Sequence, residues 1–309
     1  MTTERDAFLE GAAASAPLGE RCGADGAAPS GVPISVVVPT KNEAHNLERC
    51  LNAVGWASEL IVVDSQSQDG TIDIAEKCGA KVVQFRYAGG WPKKKGWALE
   101  NIPFKNEWVL FLDADEVLMD GAKEEVEAAI RRELKGYWIN RQFMFLGKWL
   151  RHAYYPNWNL RLFLHRLGRF ERLVDGDTAS GDVEIHEHVV VNGPTGKLRT
   201  EIQHYAFPSV ESFVEKHNRY SNWEARLQTE SMANKLDHKQ VAFRRRLKRW
   251  SYSFPFRPFL RFWYIYVMQR GFLDGKEGYY FAHLHACYEW MSVIKAYELK
   301  RDAHHRLGN

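Results

Sequence analysis

Five apolar residues, Trp108 to Leu112, run directly into Asp113-Ala-Asp-Glu116. The run is bounded in front by Asn106-Glu107. A short continuous apolar run of this kind reads as a strand buried on both faces, as in the interior of a parallel sheet. Open α/β sheets bind their ligands at the carboxyl ends of such strands. Three carboxylates within four residues at one strand end repel each other, and burial raises their pKa values, unless a cation sits among them. Oxygen ligands suit Mg²⁺ or Mn²⁺, and Mg²⁺ usually takes one or two carboxylates together with substrate phosphates. A solvated acidic turn capping the next helix is the other reading of the same residues.

The flanking segments set this strand in a repeating pattern. Ile34 to Pro39 is a β-branched strand, followed by the loop Thr40-Lys-Asn-Glu43 and by Leu47, Cys50, Leu51 and Val54 at helical spacing. Glu59 to Asp64 is a second strand, closed by the polar turn Ser65 to Gly70. Thr71 to Cys78 is a helix and Lys81 to Phe85 a third strand. Gly89-Gly-Trp-Pro92 breaks the pattern before Lys93-Lys-Lys95, which opens a short helix through Leu99. Strands alternating with helices give βαβ units, hence an α/β fold with a mostly parallel, Rossmann-like sheet flanked by helices. Further on, Glu124 to Leu134 is helical, Tyr137 to Leu146 extended, and 147–210 mixed, with strand-like Val189 to Val191 and Lys197 to Ile202. From Val210 the pattern is helical, with Asp274 placed to cap a final helix over about 278–300. The expected division is a disordered tail at 1–32, an α/β domain at 33–209 and a helical, aromatic and basic C-terminal region at 210–309.

Composition limits the partners. A net charge of +3 over 309 residues excludes a general polyelectrolyte binder, and no nucleic-acid partner is expected. Four cysteines, at 22, 50, 78 and 287, lack C-x-x-C spacing, which argues against a zinc site and for a reducing cytoplasm. No apolar run reaches the ~18 residues of a spanning helix, and the N-terminus lacks a signal peptide's apolar segment. The 11 Trp, 13 Tyr and 17 Phe are an excess that sugar-binding clefts and membrane interfaces both use. Arg244, Arg245, Arg246, Lys248 and Arg249 precede the aromatic stretch Phe254 to Tyr266. That pairing fits attachment to an anionic membrane surface; stacking on single-stranded nucleic acid and plain helix packing are the other readings.

Several buried strands end in polar or acidic residues: Asn42-Glu43, Asp64 with Asp69, and Asp113 to Glu116. Asp69 before Gly70-Thr71 is also a natural turn residue. With Lys93 to Lys95 between them in sequence, these ends resemble a site for an anionic, metal-bound nucleotide. The chain has no G-x-x-x-x-G-K-[ST] and no G-x-G-x-x-G after the first strand, which counts against P-loop enzymes and dinucleotide oxidoreductases.

Val36-Val-Val-Pro-Thr-Lys-Asn-Glu43, Ile61-Val-Val-Asp-Ser65 with Asp69-Gly-Thr71, and Phe111-Leu-Asp-Ala-Asp-Glu116 resemble glycosyltransferase family 2. The likeness covers about residues 33–120. Tyr155-Pro156, Arg161-Leu162, His186-Glu187 and His204-Tyr205 are similar to the branch of that family acting on the lipopolysaccharide core. The resemblance implies a GT-A fold and inverting transfer of a hexose, glucose foremost, from a UDP-sugar. The implied acceptor is a lipid-linked saccharide such as the lipopolysaccharide inner core, with the enzyme peripheral on the inner face of the cell membrane.

The resemblance also implies residue roles. Pro39, Thr40 and Glu43 would border the base and ribose, and Asp64 would hold the uracil. Asp113 would sit near ribose or metal, and Asp115 would ligate a divalent metal, Mg²⁺ or Mn²⁺. Lys95 keeps a charge for the diphosphate, although Lys94-Lys95-Gly96 departs from the branch's Gln-Lys/Arg-Asn run. His204 is either a third metal ligand or a structural histidine. An inverting transfer needs one general base. Glu187 is the candidate, with Asp182 and Glu184 as runners-up, against a reading of Glu184 to His188 as a charged segment facing water. Trp158 and Arg161 would line the acceptor side, or serve packing. Two other classes remain. A nucleotidyltransferase acting on sugar phosphates would want a glycine-rich loop after the first strand, where Thr40 to Glu43 has no glycine. A non-catalytic, membrane-bound carbohydrate-binding protein would leave the acids without a task.

Overall fold

The computed structural model describes residues 31–171, 188–229 and 256–307. The first half alternates as expected: β1 (Val32–Thr40), α1 (Ala44–Ala53), β2 (Ala57–Asp64), α2 (Thr71–Lys77), β3 (Lys81–Gln84), α3 (Lys94–Asn101) and β4 (Trp108–Phe111). Then come β5 (Glu116–Leu118), α4 (Ala122–Ala129), β6 (Gly136–Phe145), β7 (Lys148–Trp149), β8 (Trp158–Leu164), β9 (Gly168–Phe170), β10 (Val189–Val191) and β11 (Thr195–His204). The C-terminal helices are α5 (Val210–Thr229), α6 (Arg257–Trp263) and α7 (Lys276–Leu307).

Among the described residues nine strands form one sheet in the order β3-β2-β1-β4-β8-β6-β11-β5, with β7 paired to β6. Strands β3 to β4 are parallel, the Rossmann-like half. Side chains alternate across it because a strand repeats every two residues. Val36, Val38, Val62 and Leu110 face α1, α2 and α4, with Leu47, Leu51 and Val126. Val37, Ile61, Val63, Val109 and Phe111 face the other way, against Ala98, Ile102 and Phe163. All of β1's central valines are fully buried, so the continuous apolar run reflects two covered faces.

The second half corrects the sequence reading. β8 lies inside the mixed stretch and inserts between β4 and β6, antiparallel to both. The sheet is therefore mixed on this side, with β6–β11 parallel and β11–β5 antiparallel. Asp274 does not cap α7. Its carboxylate accepts the backbone N–H groups of Arg151, His152 and Ala153 at 3.0, 3.0 and 2.8 Å and pairs with the His152 ring at 2.9 Å. A third cluster joins β6 to the helices, with Phe143 and Phe145 against Phe213, Ile265 and Phe281.

Candidate active site

The carboxyl ends of β1 and β4, the middle of β8 and the end of β11 converge on one cleft of about 790 Å³. Thr40, Asp113, Asp115, Arg161 and His204 line it from the sheet side, and Lys94 and Lys95 from the start of α3. Helices α5 to α7 close the opposite wall with His217, Tyr220, Arg261, His285 and Tyr288.

The acids at the end of β4 are largely neutralised by the protein itself. Lys95 Nζ lies 2.5 Å from Asp113 Oδ1, and Arg161 donates to Asp113 Oδ2 at 2.9 Å. Glu116 is fully buried. It accepts from Arg161 at 2.5 Å, from Arg141 at 3.2 Å and from the backbone N–H of Asp113 at 2.9 Å. Burial alone would raise the Asp113 pKa, but Lys95 and Arg161 outweigh it and hold the carboxyl well below its ordinary value. The same acids overcome burial at Arg161 and raise its pKa. Arg161, expected along the acceptor side, does line the cleft, but its guanidinium is committed to these two carboxylates.

Asp115 is different. Its Oδ1 is buried, accepts no hydrogen bond and lies 3.5 Å from His204 Nε2. His204 Nδ1 is also buried and without a partner. Burial pushes the Asp115 pKa up and His204 more than reverses it. A donor-less carboxylate oxygen facing an imidazole nitrogen fits one divalent cation, so the residues suit the metal that the resemblance implies. Asp113 fits less well, because both its oxygens already meet cations. Among the described residues no three His, Cys, Asp or Glu side chains are gathered to hold a metal. Asp115 and His204 would be the protein's share of the ligands, leaving other positions to substrate oxygens.

Pro39, Thr40 and Glu43 border the cleft as expected. Glu43 accepts from Asn46 at 3.0 Å, and burial, helped by Asp115, raises its pKa. Asp64 does not line the cleft. It is fully buried and both its oxygens are taken: Thr40 Oγ1 at 3.1 Å and Ser67 Oγ at 2.5 Å meet Oδ1, the Ser67 N–H at 2.9 Å and Gln84 at 3.1 Å meet Oδ2. Burial would raise its pKa, but these donors prevail and lower it. Asp69 ties two loops together, accepting from the Thr71 N–H and hydroxyl and from the Ala44 N–H at the start of α1. Trp158 opens β8, with Lys197 Nζ 4.4 Å over its ring, and does not line the cleft although Asn159, next to it, does. Glu187, Asp182 and Glu184 lie outside the described residues; His188, next after Glu187, lines the cleft.

The sequence reading gives no role to Arg141 or the helical wall and takes Lys94 only as part of the basic run. Lys94 Nζ donates to the Thr40 carbonyl at 2.6 Å, fixing the loop after β1. Arg257 pairs with Glu289 at 2.8 Å and Glu224 at 3.4 Å, one salt-linked group across α5, α6 and α7. A signal was available: His217, Tyr220 and Glu224, and His285, Tyr288, Glu289 and Ser292, recur at helical spacing. They mark a polar face turned inward.

The model of the family described as glycosyl transferase family 2 matches residues 35–188. An uncharacterized glycosyltransferase of Rickettsia conorii is 34% identical over 199 residues, 62% of this chain and 69% of its own length. The chain belongs to glycosyl transferase family 2. The lipopolysaccharide core biosynthesis glycosyltransferase LpsC of Rhizobium meliloti is 26% identical over 287 residues, 86% of this chain and 93% of that one. Among solved structures, the mannosyltransferase PcManGT of Pyrobaculum calidifontis, in complex with GDP-Man and Mn²⁺, has a TM-score of 0.44 at 15% identity, covering 85% of this chain and 86% of that one. The fold of this family 2 member is GT-A, with its C-terminal helices packed on the sheet domain. Membership in a glycosyltransferase family separates it from the nucleotidyltransferases and from non-catalytic sugar binders.

Proposed function

We propose that this family 2 member transfers a hexose, glucose foremost, with inversion from a UDP-sugar to a hydroxyl of a lipid-linked saccharide such as the lipopolysaccharide inner core. The observation that carries the proposal is Asp115, whose buried Oδ1 accepts no hydrogen bond and faces His204 Nε2 at 3.5 Å, at the edge where the strand ends meet. The likeness to LpsC over most of both chains supports the class of acceptor.

In this reading Pro39, Thr40 and Glu43 border the nucleoside, and Asp64 acts at one remove by orienting Thr40. Asp115 and His204 hold a divalent cation, Mg²⁺ or Mn²⁺. When bound, that cation offsets the charge of the leaving diphosphate. Lys95 adds a mobile positive charge at the same place, because its ammonium can exchange the Asp113 carboxylate for a phosphate oxygen. Asp113 and Arg161 keep the edge rigid. Glu187 takes the proton from the acceptor hydroxyl as its oxygen bonds to the anomeric carbon and the bond from that carbon to the diphosphate oxygen breaks, releasing UDP. His188, which follows Glu187 in sequence, lines the cleft, and this supports the assignment.

The test is UDP release with UDP-glucose, a divalent metal and a core saccharide acceptor. Glu187→Gln is expected to retain donor binding and lose at least about 100-fold in turnover, in line with removal of a general base. Full activity in that variant would remove Glu187 from the mechanism. No UDP release from any UDP-sugar, with or without acceptor, would overturn the proposal.

A further inference from the structure

Helix α6 is amphipathic in the wrong sense for a soluble protein. Its two arginines, Arg257 and Arg261, line the cleft, and Arg257 is buried in its pairs with Glu224 and Glu289. Two of its rings and the one just before it face water, with Phe256 and Phe259 each 60% exposed and Trp263 51% exposed, while Phe262 packs on the third cluster. The exposed apolar surface continues through the π-helical segment Tyr264–Met268, with Tyr264, Val267 and Met268, and the 3₁₀ turn Gly271–Asp274, with Phe272 and Leu273. Soluble surfaces rarely display a contiguous apolar patch of this extent without a partner.

We infer that this face dips into the surface of a lipid bilayer carrying anionic headgroups. Three observations select lipid over a protein partner. The first is shape. Helices α6 and α7 form an antiparallel hairpin, with Phe259 against Trp290, Phe262 against His283 and Tyr266 against Tyr279. The exposed Phe272 and Leu273 stand at its tip, so among the described residues the apolar side chains continue around the turn of the hairpin. The second is composition. Trp, Tyr and Phe beside Met, Leu and Val match the side chains that settle at the headgroup level. The third is charge. Residues 256–273 contain no acid, and Arg270 and Lys276 are exposed beside the tip, whereas Arg257 and Arg261 belong to the cleft face.

The hairpin is also held rigidly to the catalytic domain. Asp274 accepts three backbone N–H groups of the 151–153 turn, and Lys148 donates to the Asp274 carbonyl at 2.7 Å and to Glu277 at 3.1 Å. A Cβ on Gly278 would lie 2.0 Å from the Gly271 carbonyl oxygen, so the two ends of the tip pack without room for a side chain. A hairpin with one face in the cleft and the other in lipid would set the cleft at a fixed height above the membrane, where the saccharide of a lipid-anchored acceptor is presented. That last step rests on the proposed transfer; the membrane contact does not.

The test uses the full chain and sedimentation with vesicles of phosphatidylcholine alone or mixed with phosphatidylglycerol, without any sugar nucleotide. The full chain is expected to bind both, the mixed vesicles more tightly, and to stay bound at high salt because burial of rings is the main drive. The double variant F259S/W263S is expected to bind more than about tenfold more weakly. Its circular dichroism is expected to match that of the parent, which shows that the chain is folded. Three results would overturn the inference: a parent chain that stays in the supernatant, vesicle binding that the double variant retains, or a stable dimer in solution that the double variant dissociates. Because vesicle binding is read without donor and circular dichroism alone reports folding, failure of the transferase reading leaves the vesicle outcomes unchanged.

Discussion

Arg161 shows how one residue can decide what its neighbours mean. Three acids at a strand end demand positive charge, and here most of it is supplied by Arg161, Lys95 and Arg141 rather than by an ion. Removing the guanidinium leaves Glu116 buried with only Arg141. Arg161→Met is therefore expected to cost about 3–5 kcal/mol, the usual loss on breaking a buried ion pair. Denaturant midpoints of the parent and the variant measure this, and an unchanged midpoint would show that the Arg161 pairs do not hold the strand end together. In the parent the sign for Asp113 is the opposite of that for a buried lone acid. Its folded pKa is depressed, so its contribution is complete above the ordinary carboxylate range and fades only as the pH falls through the folded value. The same division of labour isolates Asp115. Asp115→Ala and His204→Ala should each abolish tight Mn²⁺ binding in the presence of UDP, read by the spin resonance of free Mn²⁺. Asp69→Ala should leave Mn²⁺ binding intact and lower stability by about 1 kcal/mol through the lost cap on α1. Mn²⁺ affinity unchanged in Asp115→Ala would move the cation elsewhere.

At the level of elements, the parallel half of the sheet was readable because its strands are covered on both faces and are apolar throughout. The βαβ order up to β4 follows from that pattern, and the three acidic strand ends could be found from it. β8 could not be read in the same way. Asn159 and Arg161 both reach into the cleft from it, so the strand carries polar residues where a buried strand shows apolar ones. Its position between β4 and β6 depends on contacts far apart in sequence, which periodicity does not report. Asp64 is ambiguous in sequence for a related reason. An acid at a strand end can face a ligand or staple its own loops, and only the positions of Thr40, Ser67 and Gln84 distinguish the two. Asp274 is the third case: it precedes a helix as a cap would, yet it serves the 151–153 turn. Asp274→Ala leaves three backbone donors without their acceptor. A loss of about 2 kcal/mol or more is expected by chemical denaturation, together with faster amide exchange at Arg151, His152 and Ala153. Normal protection at those three amides would show that another acceptor replaces the carboxylate.

For the whole molecule, the aromatic cluster around Phe143, Phe145, Phe213 and Phe281 crosses the division placed near residue 209 by the sequence pattern. The cleft has one wall on each side of that division, so its shape depends on the two parts folding together. Two buried histidines sit in this layer and make its stability depend on pH. His217 stacks on Phe213 with ring centroids 3.7 Å apart, and its Nδ1–H donates to the Phe213 carbonyl at 2.8 Å. Tyr220, Tyr288 and His285 pack on the same ring, and Lys216 and Arg261 are the nearby cations. Burial, reinforced by these cations, lowers the His217 pKa from 6.5 to about 4, and burial also drives His285 well below its ordinary value. A histidine with a depressed folded pKa binds its proton more readily in the unfolded chain. Its contribution is therefore complete above pH 6.5 and is lost as the pH falls from there toward 4. For His217 alone the full loss is about 3 kcal/mol. Because the cluster spans both parts, this loss should lower a single cooperative transition and leave no separately melting helical layer. Calorimetry between about pH 7 and about pH 4 measures both points. His217→Phe keeps the stack on Phe213 and has no proton to bind, so its melting temperature should fall less over this range than that of the parent. Two resolved transitions would separate the helical layer from the sheet domain, and an identical pH dependence in the variant would exclude His217 as the titrating group.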